Sequence, residues 1–175
     1  MHEPDKHLVL DVSAVLDLWL DEDVATNHVT RLLEIAGTGS ARLWVTATIL
    51  NTLDYVAVSR FKQAGIPPSD ARQAVTQLIA ALLERVAVLS CFGFEQQSLY
   101  QSAGDFEDAQ IASSARVLKG GQVRIVSLDE EFDALGEIPV LTPEQALAWI
   151  ERGPEPIHAV IPFVDLALQQ TRLRL

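Results

Sequence analysis

Three aspartates stand where apolar runs end or where a helix is predicted to begin. Asp11 follows the run HLVL, Asp129 comes shortly after VRIV, and Asp108 lies in GDFEDAQIASSA. In an α/β protein the carboxyl ends of buried strands share one edge of the sheet, and ligand sites form there. Carboxylates gathered at such an edge are the hard oxygen ligands that Mg²⁺ and Mn²⁺ prefer. The pattern therefore predicts a divalent-metal site made by these three aspartates.

Two serines stand close to the first and last of these acids. Ser13 comes two residues after Asp11, and Ser127 two residues before Asp129. The Ser13 hydroxyl can hold the Asp11 carboxylate or the turn in position. Helix capping by Asp11 or Ser13 explains the first segment equally well when that segment is taken alone.

The helix predicted to carry Asp108 has a crowded start. Asp105 and Glu107 lie within three residues of Asp108, and the dipole at a helix N-terminus favours anions. Capping accounts for one of these acids but not for all three. The small residues at 112–115 predict that this helix approaches the sheet closely.

Short runs rich in Val, Ile and Leu alternate along the chain with longer stretches of helical period. Strands are predicted over 7–11, 42–46, 86–90, 123–127 and 139–141. Helices are predicted over 12–20, 24–36, 47–63, 69–85, 94–102 and 107–118, with a helical turn over 129–134. Ser69 and Asp70 are the expected cap of the fourth helix, and Thr142 with Pro143 is expected to start a last helix. Such alternation predicts a parallel sheet covered by helices on both faces.

Length and composition favour one domain with a substantial core. The chain has 175 residues, of which 49% are hydrophobic and 21% charged, as in ordinary globular proteins. No apolar run approaches the roughly 20 residues of a membrane helix. We expect a cytoplasmic protein without a membrane segment.

Cysteine and histidine offer no alternative metal site. The single cysteine, Cys91, allows neither an intrachain disulfide nor a thiolate cage, which is typical of a reducing compartment. The histidines show no metal-binding spacing, and each is expected at the surface or near a terminus. They are His2, His7, His28 and His158.

The acidic balance of the chain opposes broad attraction to nucleic acid. The formal net charge is −11, so binding to phosphates must depend on a local site or on charge that a metal or partner brings. Five cations are candidate phosphate contacts, although each taken singly is more typical of a solvated surface charge. They are Arg42, Arg60, Lys62, Arg72 and Lys119.

Five segments in order resemble the PIN-domain family, in particular its branch of VapC-type toxin ribonucleases. They are LVLDVSAVLDL, VTATILNTLDYVAVSR, GDFEDAQIASSA, VRIVSLDEEF and IPVLTPEQAL, and together they span roughly residues 7–150. The resemblance implies a three-layer α/β/α sandwich with a parallel sheet of about five strands. It also implies a metal-dependent endoribonuclease that hydrolyses phosphodiester bonds of RNA with a cluster of acids. The corresponding domain is 1–152, and 153–175 is a tail containing prolines that packs on the domain or on a partner.

The resemblance assigns site residues one by one. The first, third and fourth acids of the family fall on Asp11, Asp108 and Asp129, with Mg²⁺ or Mn²⁺ as the implied cofactor. Ser13 and Ser127 match hydroxyl residues beside the first and fourth acids. Toxins of this type pair with a small antitoxin and form homodimers, so we expect RNA, an antitoxin and a second copy as partners.

The second acid of the family is missing from this chain. It should fall near Thr52, where the sequence reads TATILNTLDYV. Asp54 is two residues further on, a rotation of about 200° around a helix, and is expected to face away from a site that Thr52 faces. Asn51 and Thr52 are neutral oxygen donors, and Asp105 is an alternative source of the missing charge.

Two other classes of function remain to be weighed against a nuclease. The first is a catalytically weakened PIN-like module that binds RNA or protein. The second is a phosphatase or phosphotransferase with an acid pocket. That class is disfavoured because haloacid-dehalogenase-like phosphatases need a second Asp where this chain has Ser13, and a receiver domain needs an Asp and a Lys where strands end in Ser90 and Ser127.

Overall fold

The computed structural model describes residues 6–20, 24–90, 106–118, 121–129, 132 and 138–152. Its strands are β1 (Lys6–Leu10), β2 (Arg42–Thr46), β3 (Ala87–Leu89), β4 (Gln122–Val126) and β5 (Val140–Leu141). Its helices are α1 (Val12–Leu20), α2 (Val24–Gly37), α3 (Ala47–Gln63), α4 (Pro68–Leu83), α5 (Phe106–Arg116) and α6 (Pro143–Glu151). None of these six helices has both the length and the apolar character needed to cross a membrane.

The five strands form one parallel sheet in the order β3-β2-β1-β4-β5. The first strand lies in the centre, where Leu8 pairs with Leu43 on β2 and with Arg124 on β4. The sheet therefore grows from β1 toward β2 and β3 on one side, and toward β4 and β5 on the other. The boundary between β1 and β4 is the point at which the strand order reverses.

Helices cover both faces of this sheet. On one face α3 and α5 contact each other and the sheet, and α4 packs against α3. On the other face α2 and α6 contact each other and the sheet, while α1 contacts both α2 and α3. The predicted three-layer α/β/α architecture with a five-stranded parallel sheet is confirmed.

The central position of β1 explains why this strand is completely buried. All five of its residues are buried, because neighbouring strands flank it and helices cover it. His7, expected at the surface or near a terminus, is only 6% exposed. Its Nδ1 accepts a 3.1 Å hydrogen bond from Trp44 Nε1 on β2. A polar side chain becomes tolerable in the core when its hydrogen bond is made there.

Small side chains allow α5 to lie close against the sheet, as predicted. The helix contacts β2 and β4, the two strands that flank β1. Its buried residues are Ala109, Ile111, Ala112, Ser113, Ser114 and Ala115. Only one of these six side chains is large, so the helix backbone can approach the strands closely.

Helix starts follow local chemistry in one case and depart from the prediction in another. Thr142 caps α6 in a capping box with Gln145, and Pro143 occupies the first turn, as predicted. By contrast α4 begins at Pro68, and Pro67 caps it without a side-chain hydrogen bond. Proline is favoured at a first helical position because its fixed φ suits the helix and its missing N–H is not needed there. Ser69 and Asp70 therefore lie inside the first turn rather than before it.

Lys6 ties the start of the sheet to the end of the last helix. Its Nζ donates to the carbonyl oxygens of Trp149 at 2.8 Å, Ile150 at 3.0 Å and Arg152 at 3.2 Å. These carbonyls belong to the terminal turn of α6, whose groups lack partners within the helix. A buried ammonium group thus closes the C-terminus of α6 onto the central strand.

Candidate functional site

Every strand of the sheet ends in, or is followed directly by, a polar residue. Because all five strands are parallel, their carboxyl ends lie at the same edge of the sheet. The residues are Asp11 after β1, Thr46 at the end of β2, Ser90 after β3, Ser127 after β4 and Thr142 after β5. This is the edge where ligands bind in open α/β sheets. Thr46 was not predicted as a member of this row, although its position as the last residue of a predicted strand was a visible signal.

Asp11 and Ser127 face each other at the boundary where the strand order reverses. The backbone N–H of Asp11 donates to the Val126 carbonyl at 2.9 Å, which continues the pairing of β1 with β4. The Ser127 hydroxyl then donates to Asp11 Oδ2 at 2.8 Å. A reversal of strand order opens a crevice between the diverging connections, and this crevice is the usual ligand position. Asp11, the first predicted acid, therefore lies at the part of the sheet edge where ligands usually bind.

The Asp11 carboxylate is nearly enclosed, with 6% of the residue exposed. Its Oδ1 accepts a 2.6 Å hydrogen bond from the Val12 N–H and its Oδ2 a 3.4 Å one from the Ser13 N–H, so Asp11, directly after β1, caps α1. Its Oδ2 accepts from the Ser13 hydroxyl at 2.6 Å as well as from Ser127. Capping and a functional role are compatible here, because one carboxylate serves both.

Each serine hydroxyl accepts a hydrogen bond from a backbone N–H and donates one to the Asp11 carboxylate. The Leu128 N–H donates to Ser13 Oγ at 3.0 Å, and the Asp129 N–H donates to Ser127 Oγ at 3.0 Å. The two hydroxyl oxygens are 3.2 Å apart. Since each oxygen accepts from an amide, its own hydrogen is directed to the Asp11 carboxylate. Ser13, Ser127 and Asp11 therefore form one fixed cluster, in which Ser127, expected beside Asp129, contacts Asp11 instead.

The other two predicted ligands lie in α5 and in the segment that follows β4. Asp129 is exposed and two residues beyond Ser127, while Asp108 is half-buried in the first turn of α5. Within the described ranges no three His, Cys, Asp or Glu side chains form a group able to hold a metal ion. Asp105 lies outside those ranges. The three-aspartate metal cage stays a prediction.

The chemistry of the donors at this edge suits a hard cation. Carboxylate and hydroxyl oxygens are available from Asp11, Ser13 and Ser127, and Mg²⁺ and Mn²⁺ prefer oxygen ligands. No sulfur or imidazole ligand is among these side chains. These donor types fit the implied ion. Asp11 is the one acid among these three residues.

Near the position of the missing second acid, the side chains are either neutral or in contact with another helix. Thr52 is half-buried and Asn51 exposed on α3. Asp54 lies 3.7 Å from the Arg72 guanidinium on α4, with 39% of its side chain exposed. The carboxylate of Asp54 is thus engaged with the outer helix, in keeping with the predicted rotation away from Thr52.

A cavity of about 510 Å³ opens next to the Asp11 cluster, between α1 and α3. Ser13 and Leu128 line the end that adjoins the cluster, and Asp17, Trp19, Arg60 and Phe61 are among the other lining residues. Sequence reasoning did not identify this cavity. A signal was present, since positions 13, 17 and 20 share one face of a helix, but nothing local shows that α3 lies opposite.

By sequence, no protein-family model and no curated protein matches this chain. Solved structures do match its fold. One match is VapBC2 from Rickettsia felis, which was crystallised with a DNA fragment from its promoter. It superposes with a TM-score of 0.55 at 14% identity, over 78% of this chain and 98% of that one. PAE2754 from Pyrobaculum aerophilum superposes with a TM-score of 0.58 at 16% identity, over 86% of this chain and 94% of that one. These likenesses confirm the PIN-like, VapC-like fold that the five sequence segments predicted.

Proposed function

We propose that this chain is a metal-dependent endoribonuclease, with Asp11 at the centre of its active site. The observation that carries the proposal is the hydrogen-bonded cluster of Asp11 with Ser13 and Ser127, at the point of a PIN-like sheet where the strand order reverses. A buried carboxylate held by two hydroxyls costs desolvation, and structural capping alone does not require such complete fixation. The proposed reaction is hydrolysis of phosphodiester bonds in single-stranded RNA.

The proposed ligands of Mg²⁺ or Mn²⁺ are Asp11, Asp108 and Asp129. When bound, such an ion stabilises negative charge that develops on the phosphate and makes water a better nucleophile. Ser13 and Ser127 hold Asp11 Oδ2 through their hydroxyl hydrogens, so the carboxylate is oriented before substrate arrives. Preorganisation of this kind removes the cost of ordering the site during the reaction.

RNA cleavage in the presence of Mn²⁺ tests this function directly. Purified protein is expected to cleave a single-stranded RNA, and Asp11→Asn is expected to abolish cleavage because the central carboxylate is lost. Asp54→Asn is the matched control, since it makes the same change on the outer side of α3, where the carboxylate lies near Arg72. Equal cleavage by Asp11→Asn and wild type would reject Asp11 as the active-site residue.

A PIN-like module with weakened or absent catalysis is the second candidate. It is favoured by Thr52 in place of an acid, and by the hydrogen bonds that both Asp11 oxygens already accept. Calorimetric titration with millimolar Mn²⁺ separates the two functions. Binding heat that disappears in Asp11→Asn supports the nuclease, whereas no heat from folded wild-type protein supports the binding module.

We further propose that the protein acts as the toxin of a toxin–antitoxin pair in the cytoplasm. The PIN-like fold supports this, as does an apolar groove of about 440 Å³ that includes Leu18, Leu33 and Leu78. This groove lies between α1, α2 and α4 and suits an amphipathic segment of a small antitoxin. Induced expression of wild type is expected to arrest bacterial growth, and expression of Asp11→Asn is not. Growth arrest by both proteins would contradict a ribonuclease toxin.

The proposed nuclease domain is 1–152, and the tail 153–175 is proposed to pack on it or on a partner. A homodimer is the proposed assembly. Light scattering of the full chain and of a chain ending at 152 measures the assembly, and RNA cleavage by the shorter chain tests the domain boundary. A truncated chain that retains cleavage supports the domain boundary, and loss of the dimer on truncation assigns the tail to the partner contact.

A further inference from the structure

We propose that the cavity between α1 and α3 binds one nucleobase of single-stranded RNA beside the scissile phosphate, with guanine preferred. The proposal deepens the nuclease function and rests on it for the position of the phosphate. The cavity has a volume of about 510 Å³, which is within the range of small-molecule pockets. Single-stranded RNA is recognised mainly through unstacked bases that enter such pockets.

The cavity is continuous with the Asp11 cluster. Ser13 lines the cavity, and its hydroxyl is 2.6 Å from Asp11 Oδ2. Leu128 lines the same end, and its N–H donates to Ser13 Oγ. An RNA strand whose phosphate lies at the Asp11 carboxylate therefore has an adjacent nucleotide at the mouth of this cavity.

Two aromatic side chains provide a surface for stacking. Trp19 and Phe61 line the cavity, and both pack against a small core cluster of Ala57, Val58 and Val75. Packing holds the rings in place, so little side-chain entropy is lost when a base stacks on them. Stacking on aromatic rings is a main source of affinity for single strands.

The two charged side chains of the cavity suit a nucleotide better than an apolar peptide side chain. Arg60 lines the cavity, is exposed and makes no ion pair with any residue that the structure describes. In a chain of net charge −11, a local cation is needed to hold a phosphate or a base edge. Asp17 also lines the cavity; its carboxylate has an interaction of its own, but two carboxylate oxygens offer about four acceptor sites, and the Watson–Crick edge of guanine offers two adjacent N–H donors to such a group.

Fluorescence anisotropy with labelled RNA hexamers tests the pocket independently of cleavage, because EDTA in the buffer removes divalent metal. Arg60→Met and Phe61→Leu are each expected to weaken binding of UUGUUU about tenfold. Arg85→Met removes the same charge at the groove between α1, α2 and α4 and is expected to change affinity less than twofold. Unchanged affinity in both pocket variants, or no binding by wild type, overturns the proposal and leaves an apolar partner segment as the occupant.

The base preference has its own readout. Wild type is expected to bind UUGUUU about fivefold more tightly than UUAUUU, and Asp17→Asn is expected to remove this difference while UUUUUU still binds. A general loss of structure would weaken all three RNAs alike. Circular dichroism confirms folding of each variant. A preference for guanine that survives Asp17→Asn rejects the role of Asp17, whereas failure of Mn²⁺-dependent cleavage with intact binding rejects the nuclease function alone.

Discussion

The Ser127 hydroxyl donates a 2.8 Å hydrogen bond to Asp11 Oδ2 across a separation of 116 residues in sequence. This contact joins the ends of β1 and β4, which are neighbours in the sheet. Ser13 completes the arrangement from the first turn of α1. Three residues from two distant segments thereby hold one buried carboxylate in a single orientation at the sheet edge.

Asp11→Asn is expected to lower the free energy of unfolding by about 1 to 2 kcal/mol. The amide oxygen can still accept from the Val12 N–H, but the amide nitrogen then faces the two serine hydroxyls, which donate to Asp11. Urea denaturation measures the change. Asp54→Asn, at a partly exposed ion pair, is expected to stay within about 0.5 kcal/mol. A variant as stable as wild type would show that the network contributes little to folding.

Thr52→Glu is expected to tighten Mn²⁺ binding about tenfold, which corresponds to about 1.4 kcal/mol. The substitution places a carboxylate where the resemblance expects the second acid. Asn51→Glu adds the same charge one position earlier, on an exposed part of α3, and is expected to have a smaller effect. Calorimetry gives the affinity, and a metal-dependent rise in melting temperature provides a second measure. Equal gains in both variants would indicate general electrostatic attraction instead of a specific ligand position.

Lys6→Met is expected to destabilise the protein by about 2 kcal/mol. The variant keeps most of the aliphatic volume but removes the donors to three carbonyl oxygens at the end of α6, which are then left without that partner. Lys62→Met changes the same residue type at an exposed position, where an effect below about 0.5 kcal/mol is expected. Denaturant unfolding measures the stability of the two variants. Equal losses in the free energy of unfolding would contradict a stabilising contact between Lys6 and the end of α6.

Ala115→Leu is expected to cost about 1 to 3 kcal/mol because the larger side chain overpacks the contact of α5 with the sheet. Ala115 is fully buried, whereas the neighbouring Val117 is 53% exposed. Val117→Leu is therefore the control and should be close to neutral. Thermal unfolding followed by circular dichroism gives both values. A stable Ala115→Leu variant would mean that α5 can move away from the strands without loss.

Local features of the fold could be predicted because their causes are local. Hydrophobic periodicity shows which segments are strands and which are helices, and β2 and α3 have the predicted limits, 42–46 and 47–63. The capping box of Thr142 and Gln145 involves residues three positions apart. The start of α4 was missed because proline geometry outweighed the hydroxyl and carboxylate of Ser69 and Asp70.

The amino-acid sequence by itself determined the α/β class, the small-residue face of α5, and the placement of Asp11 and Ser127 at strand ends. Only the tertiary structure decided that those two residues touch, that His7 and Lys6 are buried, and that α1 and α3 enclose a cavity. Periodicity reports how much of each element is buried, but it does not report which elements are neighbours. Which elements are neighbours depends on strand order, and strand order is fixed by packing between segments far apart in the chain.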